Sequence, residues 1–266
     1  MIGVIVPRIE HPYFAKLISF MEEAAYEQGN CLLLLNSMGI RDREHEYLEL
    51  CWRNRVRGIV LCNGNLDLER NGDMNIPVVT IERKMEGGDA SIECNNYEGG
   101  VLAADHLIEK GCRRLLHIRG LAGIDMPADK RWEGFRAFCL RHGIEPEVIH
   151  APLPEYQLEN PEEFFNSCMD RLKENDGVFL SDDMMAVRLM HACWTAGIRI
   201  PEELKVIGFD DVQFSSFVTP TLTTIRQPVR EMTREAVRLI ALLGQKKDVP
   251  KNTVFPVELI IRESSI

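Results

Sequence analysis

No C-x-x-C pair occurs in the 266 residues, although eight cysteines are present: Cys31, Cys51, Cys62, Cys94, Cys112, Cys139, Cys168 and Cys193. That spacing offers neither the common structural zinc site nor a thioredoxin-like redox pair. Most of the cysteines fall inside apolar periodic segments, the pattern of reduced, buried thiols in a cytoplasm. An apolar run of membrane-spanning length is also missing, and the N-terminus has no basic region leading into an apolar core and cleavage site. A membrane or secreted location thereby loses its main support. Basic charge is scarce as well: 31 Lys+Arg against 41 Asp+Glu leave −10 at pH 7. Such a balance opposes a polyanionic partner unless a basic patch is segregated. Arg41 to Arg43 and Lys246-Lys247 are interrupted or very short and read as solvated helix ends.

Enzyme signatures are equally sparse. The chain contains no G-x-G-x-x-G after a strand, no G-x-x-x-x-G-K-[ST], no G-x-S-x-G and no H-E-x-x-H. Asn63-Gly64-Asn65-Leu66-Asp67 resembles the opening of a calcium loop, but Leu68 stands where that loop needs glycine and Met74 where it needs glutamate. The seven histidines are dispersed without metal-ligand spacing, and His106 on an apolar helix face reads as a hydrogen-bonded core residue. No metal, cofactor or catalytic residue is expected.

What is present is an ordinary globular composition, 45% apolar and 27% charged, in a chain long enough for one large α/β unit or two lobes. It opens with Ile2-Gly3-Val4-Ile5-Val6-Pro7, a β-branched run that reads as a strand buried on both faces. From His11 to Gln28 the residues Phe14, Leu17, Ile18, Met21 and Ala25 recur at helical spacing, and Gly29 supplies a stop. Strands at Leu32 to Leu35, Gly58 to Cys62 and Ile76 to Ile81 follow, with a helix from Arg43 to about Asn54. Asn95 and Glu98 are spaced as a capping box for a helix running to Gly111.

A second set starts with a strand at Leu115 to Ile118, then a helix from about Lys130 to Arg141 and a strand at Val148 to His150. It continues with a helix near Pro161 to Lys173, a strand at Gly177 to Leu180, a helix from Met184 to Ala196 and a strand at Lys205 to Phe209. The tail holds a helix, Arg230 to Leu243, and a closing strand, Val257 to Ile261. Alternating strands and helices require crossover connections and parallel sheets. Two consecutive doubly wound sets predict two similar α/β lobes. Asp182-Asp183 and Asp210-Asp211 each follow the carboxyl end of a predicted strand, the edge at which open parallel sheets bind ligands.

Several stretches resemble one known family, in order, from end to end. Pro7 to Phe14 (Pro-Arg-Ile-Glu-His-Pro-Tyr-Phe) resembles the loop after the first strand in lac-repressor (LacI) family regulators and their periplasmic sugar-binding relatives. Ile76 to Arg83, His106 to Gly111 and Arg131-Trp132-Glu133-Gly134-Phe135 are similar to further family segments. The most specific stretch is Pro201 to Asp211 (Pro-Glu-Glu-Leu-Lys-Val-Ile-Gly-Phe-Asp-Asp), followed by Pro220 to Pro228 (Pro-Thr-Leu-Thr-Thr-Ile-Arg-Gln-Pro). That combination is similar to the transcription regulators more than to the exported binding proteins.

The resemblance implies a periplasmic-binding-protein-like fold of two parallel-sheet lobes joined by three crossing segments. It places the N-terminal lobe at residues 1–111 plus 228–250 and the C-terminal lobe at 112–225 plus 253–266. It also implies a helix-turn-helix headpiece that this sequence does not contain, through which operator DNA would be contacted. By position it puts His11, Tyr13 and Phe14 at an interlobe cleft, where aromatic faces cover the C–H faces of a sugar or base. Arg131 matches the arginine aimed at ligand oxygens, and its fixed donors suit paired hydroxyls or a carboxylate. Asp210 matches the family aspartate, Gln227 its polar residue beside the hinge, and Asp182 replaces a usual asparagine. Tyr156 falls at a closing aromatic position, and Glu82 and Arg83 complete the candidate shell.

The expected function is therefore the ligand-sensing and dimerisation core of a cytoplasmic LacI-family regulator, not an enzyme. A carbohydrate or related polar effector would bind in the cleft and modulate DNA binding. His11 and Asp182 depart from the family pattern and favour an amino sugar, a polyol or another amine. Two other readings share the fold: an exported sugar-binding protein of a transporter, and a purine-sensing repressor in which Tyr13 and Phe14 stack a base.

Overall fold

The computed structural model describes residues 1–62, 76–83, 85, 87–120, 126–151 and 161–266. They fall into two compact units, the first comprising Met1–Cys94, Asp125–Pro127 and Pro228–Phe255, the second Asn95–Ile124, Ala128–Gln227 and Pro256–Ile266. Among the described residues, no helix is long and apolar enough to cross a membrane.

The first unit holds β1 (Ile2–Val6), α1 (Pro12–Glu27), β2 (Leu32–Asn36), α2 (Arg41–Arg53), β3 (Ile59–Cys62), β4 (Val78–Ile81) and β5 (Ala90–Cys94). The second holds α3 (Asn96–Glu109), β6 (Leu115–Arg119), α4 (Asp129–Arg141), β7 (Glu147–His150), α5 (Pro161–Ser167), α6 (Met169–Glu174), β8 (Gly177–Leu180), α7 (Asp183–Thr195), β9 (Lys205–Asp210) and β10 (Thr223–Arg226). The chain then returns to the first unit for α8 (Val229–Gly244) and β11 (Asn252–Phe255), and ends in the second with β12 (Glu258–Ile260).

All five residues of β1 are buried, as a β-branched run between two parallel neighbours requires; Val4 registers with Leu34 on one side and Val60 on the other. The first helix starts because His11 adopts an extended cap conformation and Pro12 fills the first turn, where its missing N–H costs nothing. It stops where Gly29 takes a φ of 67°, a left-handed conformation that glycine adopts without strain.

Within each unit the sheet order is the same. The first reads β11-β5-β4-β3-β1-β2 and the second β12-β10-β9-β8-β6-β7. Pairing is parallel throughout except for β12, which runs antiparallel to β10. In both, strand order reverses beside the first strand of the unit, between β1 and β3 and between β6 and β8. A crevice at the carboxyl ends of such strands is the general ligand position of open α/β sheets.

Where the structure departs from the sequence reading, the reasons are local. Pro77 has no N–H to give a ladder, so β4 begins at Val78 although the Pro77 carbonyl still accepts the Ile59 amide at 2.8 Å. The helix expected near Pro161 to Lys173 is two helices, broken at Cys168. Strands β5, β10 and β11 were not anticipated. Residues 95–111 group with the second unit, not the first, because α3 meets α4 backbone to backbone: a Cβ on Gly100 would collide with the Arg131 carbonyl, and one on Gly134 with the Tyr97 carbonyl. Asn252–Phe255 stays with the first unit because it pairs with β5. Seven of the eight cysteines are buried and Cys31 is exposed; burial pushes the Cys62 thiol up to about 12, keeping it protonated.

Candidate functional site

The second unit gathers four of the expected residues at the carboxyl edge of its sheet, next to the point where strand order reverses. Arg131 lies in the first turn of α4 and is only 6% exposed. Its Nε donates to Asn96 Oδ1 at 2.7 Å, one Nη donates to the Ser181 carbonyl, and the guanidinium sits 3.5 Å over the Phe209 ring. Asn96 starts α3, Ser181 ends the β8 edge and Phe209 belongs to β9, so three separate elements fix one cation. A planar guanidinium held this way keeps its fork in one orientation and loses little entropy on binding.

Asp210 closes β9 with a φ of 113°, a conformation that residues with a Cβ rarely adopt. It is 4% exposed, and its Oδ1 accepts from Gln227 Nε2 at 2.6 Å. Burial holds its carboxyl well above the usual range, Arg131 pulls it down, and Asp183 and Asp182 push it up. Asp182 caps α7, its Oδ1 accepting the Met185 amide at 2.7 Å, and remains partly accessible.

The neighbours of these acids do something else. Asp183 is fully buried and ties three segments together: Oδ2 accepts from the Val212 amide at 2.9 Å and Ser215 Oγ at 2.7 Å, while Oδ1 accepts from Thr224 Oγ1 at 2.5 Å. Desolvation raises its carboxyl to about 7 against these lowering hydrogen bonds. Asp211 turns to Arg226 at 2.7 Å and Arg262 at 2.6 Å, which fastens β10 to the terminal segment. Of each Asp-Asp pair, one member faces the sheet edge and the other is structural.

In the first unit, His11, Tyr13 and Phe14 cluster at the corresponding edge. The Tyr13 amide donates to His11 Nδ1 at 3.3 Å, and the Phe14 ring lies 5.2 Å from Tyr13, edge-on, and 5.5 Å from His11. Both aromatics are buried. Glu82 has a φ of 51°, and its Oε1 accepts the Cys94 amide at 2.5 Å. Arg83 points inward to Glu44 at 3.1 Å, each side chain 1% exposed. Burial raises the Glu44 carboxyl and Arg83 opposes that shift. Glu82 and Arg83 are thus engaged within the unit's own fabric. Tyr156 lies outside the described residues, as does the stretch Asn63 to Asp67.

Sequence reasoning missed Asn96, Ser181 and Phe209, the three groups that hold Arg131. Phe209 stood inside the quoted Gly208-Phe209-Asp210 stretch, but nothing in a linear string says which face of β9 it occupies. Asn96 was visible only as a neighbour of the helix cap. His106 is buried as expected, with Nε2 2.8 Å from Ser265 Oγ.

Comparison with known proteins identifies relatives of the whole chain. Residues 104–265 match the periplasmic binding protein-like domain family. A ribose operon repressor of Halalkalibacterium halodurans is 30% identical over 268 residues, covering 100% of this chain and 79% of the relative. The HTH-type transcriptional repressor PurR of Haemophilus influenzae is 33% identical over 283 residues, covering 99% of this chain and 80% of the relative. The crystal structure of a periplasmic binding protein/LacI transcriptional regulator from Alkaliphilus metalliredigens, complexed with D-xylulofuranose, superposes with a TM-score of 0.92 at 31% identity, covering 100% of this chain and 98% of the other. These likenesses establish that the chain belongs to the LacI family of transcription regulators and is an effector-binding region of that family.

Proposed function

We propose that this chain senses a sugar-sized polar effector through Arg131, Asp182, Asp210 and Gln227 of the second unit. The observation that carries the reading is the preset Arg131: a buried cation aligned by Asn96, Ser181 and Phe209 beside the Asp210–Gln227 pair, at the ligand edge of a parallel sheet. A fixed donor fork next to carboxylates suits a ligand dense in hydroxyls. The relative solved with D-xylulofuranose and the ribose operon repressors point to a pentose as the first compound to test. Asp182 extends the test to amino sugars.

In this reading the protein works in the cytoplasm as a homodimeric regulator without catalytic activity, and effector binding shifts the affinity of an attached headpiece for operator DNA. The shift requires that the ligand bind one arrangement of the protein better than another. Exposed Trp52 on α2 and Leu34 on β2 supply apolar surface for pairing. Sedimentation should therefore show two chains per particle, and Trp52→Glu should shift the population toward monomer; a monomeric wild type would reject the dimer.

Thermal unfolding with D-xylulose, D-ribose, D-glucosamine and hypoxanthine tests the ligand class. Ligand at about 100 times its Kd adds about 2.7 kcal/mol of stability, enough for a shift of several degrees. A shift with a sugar and none with hypoxanthine supports the reading; the reverse supports the purine sensor that PurR relatives suggest. Sugar recovered unaltered after incubation agrees with a binder, and turnover would assign an enzyme instead.

A further inference from the structure

Arg131 has four rotatable side-chain bonds, and a ligand-binding arginine that wanders among rotamers binds weakly. Besides the Ser181 carbonyl, its anchoring involves a single turn of α3. Asn96, the first residue of that helix and 1% exposed, accepts Arg131 Nε–H at 2.7 Å. The turn is itself fixed, since Asn95 Oδ1 accepts the Glu98 amide at 3.2 Å and the Asn95 carbonyl accepts the Gly99 amide at 3.0 Å. Gly99 lies against the Phe209 ring, leaving no room for a methyl group, and Gly100 lies against the Arg131 carbonyl. Residues 96–100 therefore supply the acceptor of Nε and lie against both the ring beneath the guanidinium and the backbone that carries it.

We infer that Asn96 is the positioning residue of the site: by holding Nε it sets the plane and direction of the Arg131 guanidinium, and through that the affinity for the effector. This rests on the ligand role proposed for Arg131. It also gives the segment a purpose beyond capping, because Asn96 is the second residue of the second unit, two positions past Cys94. Cys94 is itself held, its amide donating to Glu82 Oε1. Arg131 is thus hydrogen-bonded to the second residue of its unit.

The test uses the whole chain labelled at arginine side-chain nitrogens, with the Arg131 Nε–H resonance assigned through Arg131→Lys, and D-xylulose as the titrated sugar. Wild type should show a slowly exchanging Arg131 Nε–H. Asn96→Ala should lose that protection and weaken D-xylulose by about 10- to 100-fold, the usual worth of a hydrogen bond to a charged group. Asn96→Asp, which keeps the acceptor oxygen, should retain both the resonance and an affinity close to wild type. If Asn96→Ala fails to fold, Asn96→Ser, whose hydroxyl is too short to reach Nε, gives the same reading. An Arg131 resonance unchanged in the Ala or Ser variant overturns the inference, as does unchanged affinity once that resonance is lost. Should wild type bind no sugar, the proposed function fails on its own, while the resonance still decides what Asn96 does.

Discussion

Asp182 and Asp183 are adjacent in sequence, yet one stays partly accessible and the other is sealed among three donors. The sealed residue carries a definite pH signature. Its carboxyl rises from the usual 3.8 to about 7 in the folded protein, so between those values the folded state holds more protons than the unfolded one. Stability from this group is fully present below about pH 4 and is lost as pH rises through about 7. Asp183→Asn should flatten that slope in chemical denaturation measured from pH 4 to 7, and Asp183→Ala should cost about 2–4 kcal/mol by leaving buried donors unsatisfied. A second expectation concerns Glu44 and Arg83. Replacing Arg83 by leucine should cost about 3–5 kcal/mol, since Glu44 remains buried without its cation, whereas the Glu44→Gln/Arg83→Leu double variant should recover part of the loss in the same denaturation assay. The residue chemistry of the site was legible only in part. Arg131, Asp210 and Gln227 came from the family pattern, but the inward turn of Arg83 and the Glu82 contact to Cys94 depend on backbone conformations, a φ of 51° at Glu82 among them, that a string of letters does not encode.

At the scale of elements, long periodic segments announced themselves and short ones did not. The first helix, β8 and α7 lie within a residue of where hydrophobic spacing puts them, because each repeats its pattern over several positions or is bounded by glycine. The strand β5 (Ala-Ser-Ile-Glu-Cys) hides a buried Glu93 among its few apolar residues, and β11 (Asn-Thr-Val-Phe) is too short and too exposed to show a period. The crossing of α3 and α4 was invisible for another reason: Gly100 and Gly134 look like poor helix residues until the partner backbone that needs their missing side chains is seen. Here a glycine costs helix propensity and gains contact. Gly134→Ala should accordingly destabilise the protein by about 1–3 kcal/mol through overpacking, although alanine is the better helix former, and should disturb the seat of Arg131 on the same helix. A stabilised Gly134→Ala, read by thermal unfolding, would show that the helices have room to separate.

The whole molecule repeats one design. Both units use the same strand order, and each carries its candidate ligand residues at the starts of the helices that follow strands beside its strand reversal: His11, Tyr13 and Phe14 after β1, and Arg131 with Asp182 after β6 and β8. That duplication was readable in the alternation of strands and helices along the chain. The unit boundaries were less so, because α3 and β11 are assigned by a close helix crossing and an edge pairing. The central claim is that the preset Arg131 and the buried Asp210 bind a sugar, and isothermal titration of D-xylulose into wild type and Asp210→Asn tests it most directly. Asparagine tolerates the positive φ at this position and can still pair with Gln227, so the fold should survive while the carboxyl group is lost. Saturable binding to the wild type, weakened at least about 10-fold in a variant that melts within a few degrees of it, is the expected result. Equal affinity in the two proteins would contradict the account.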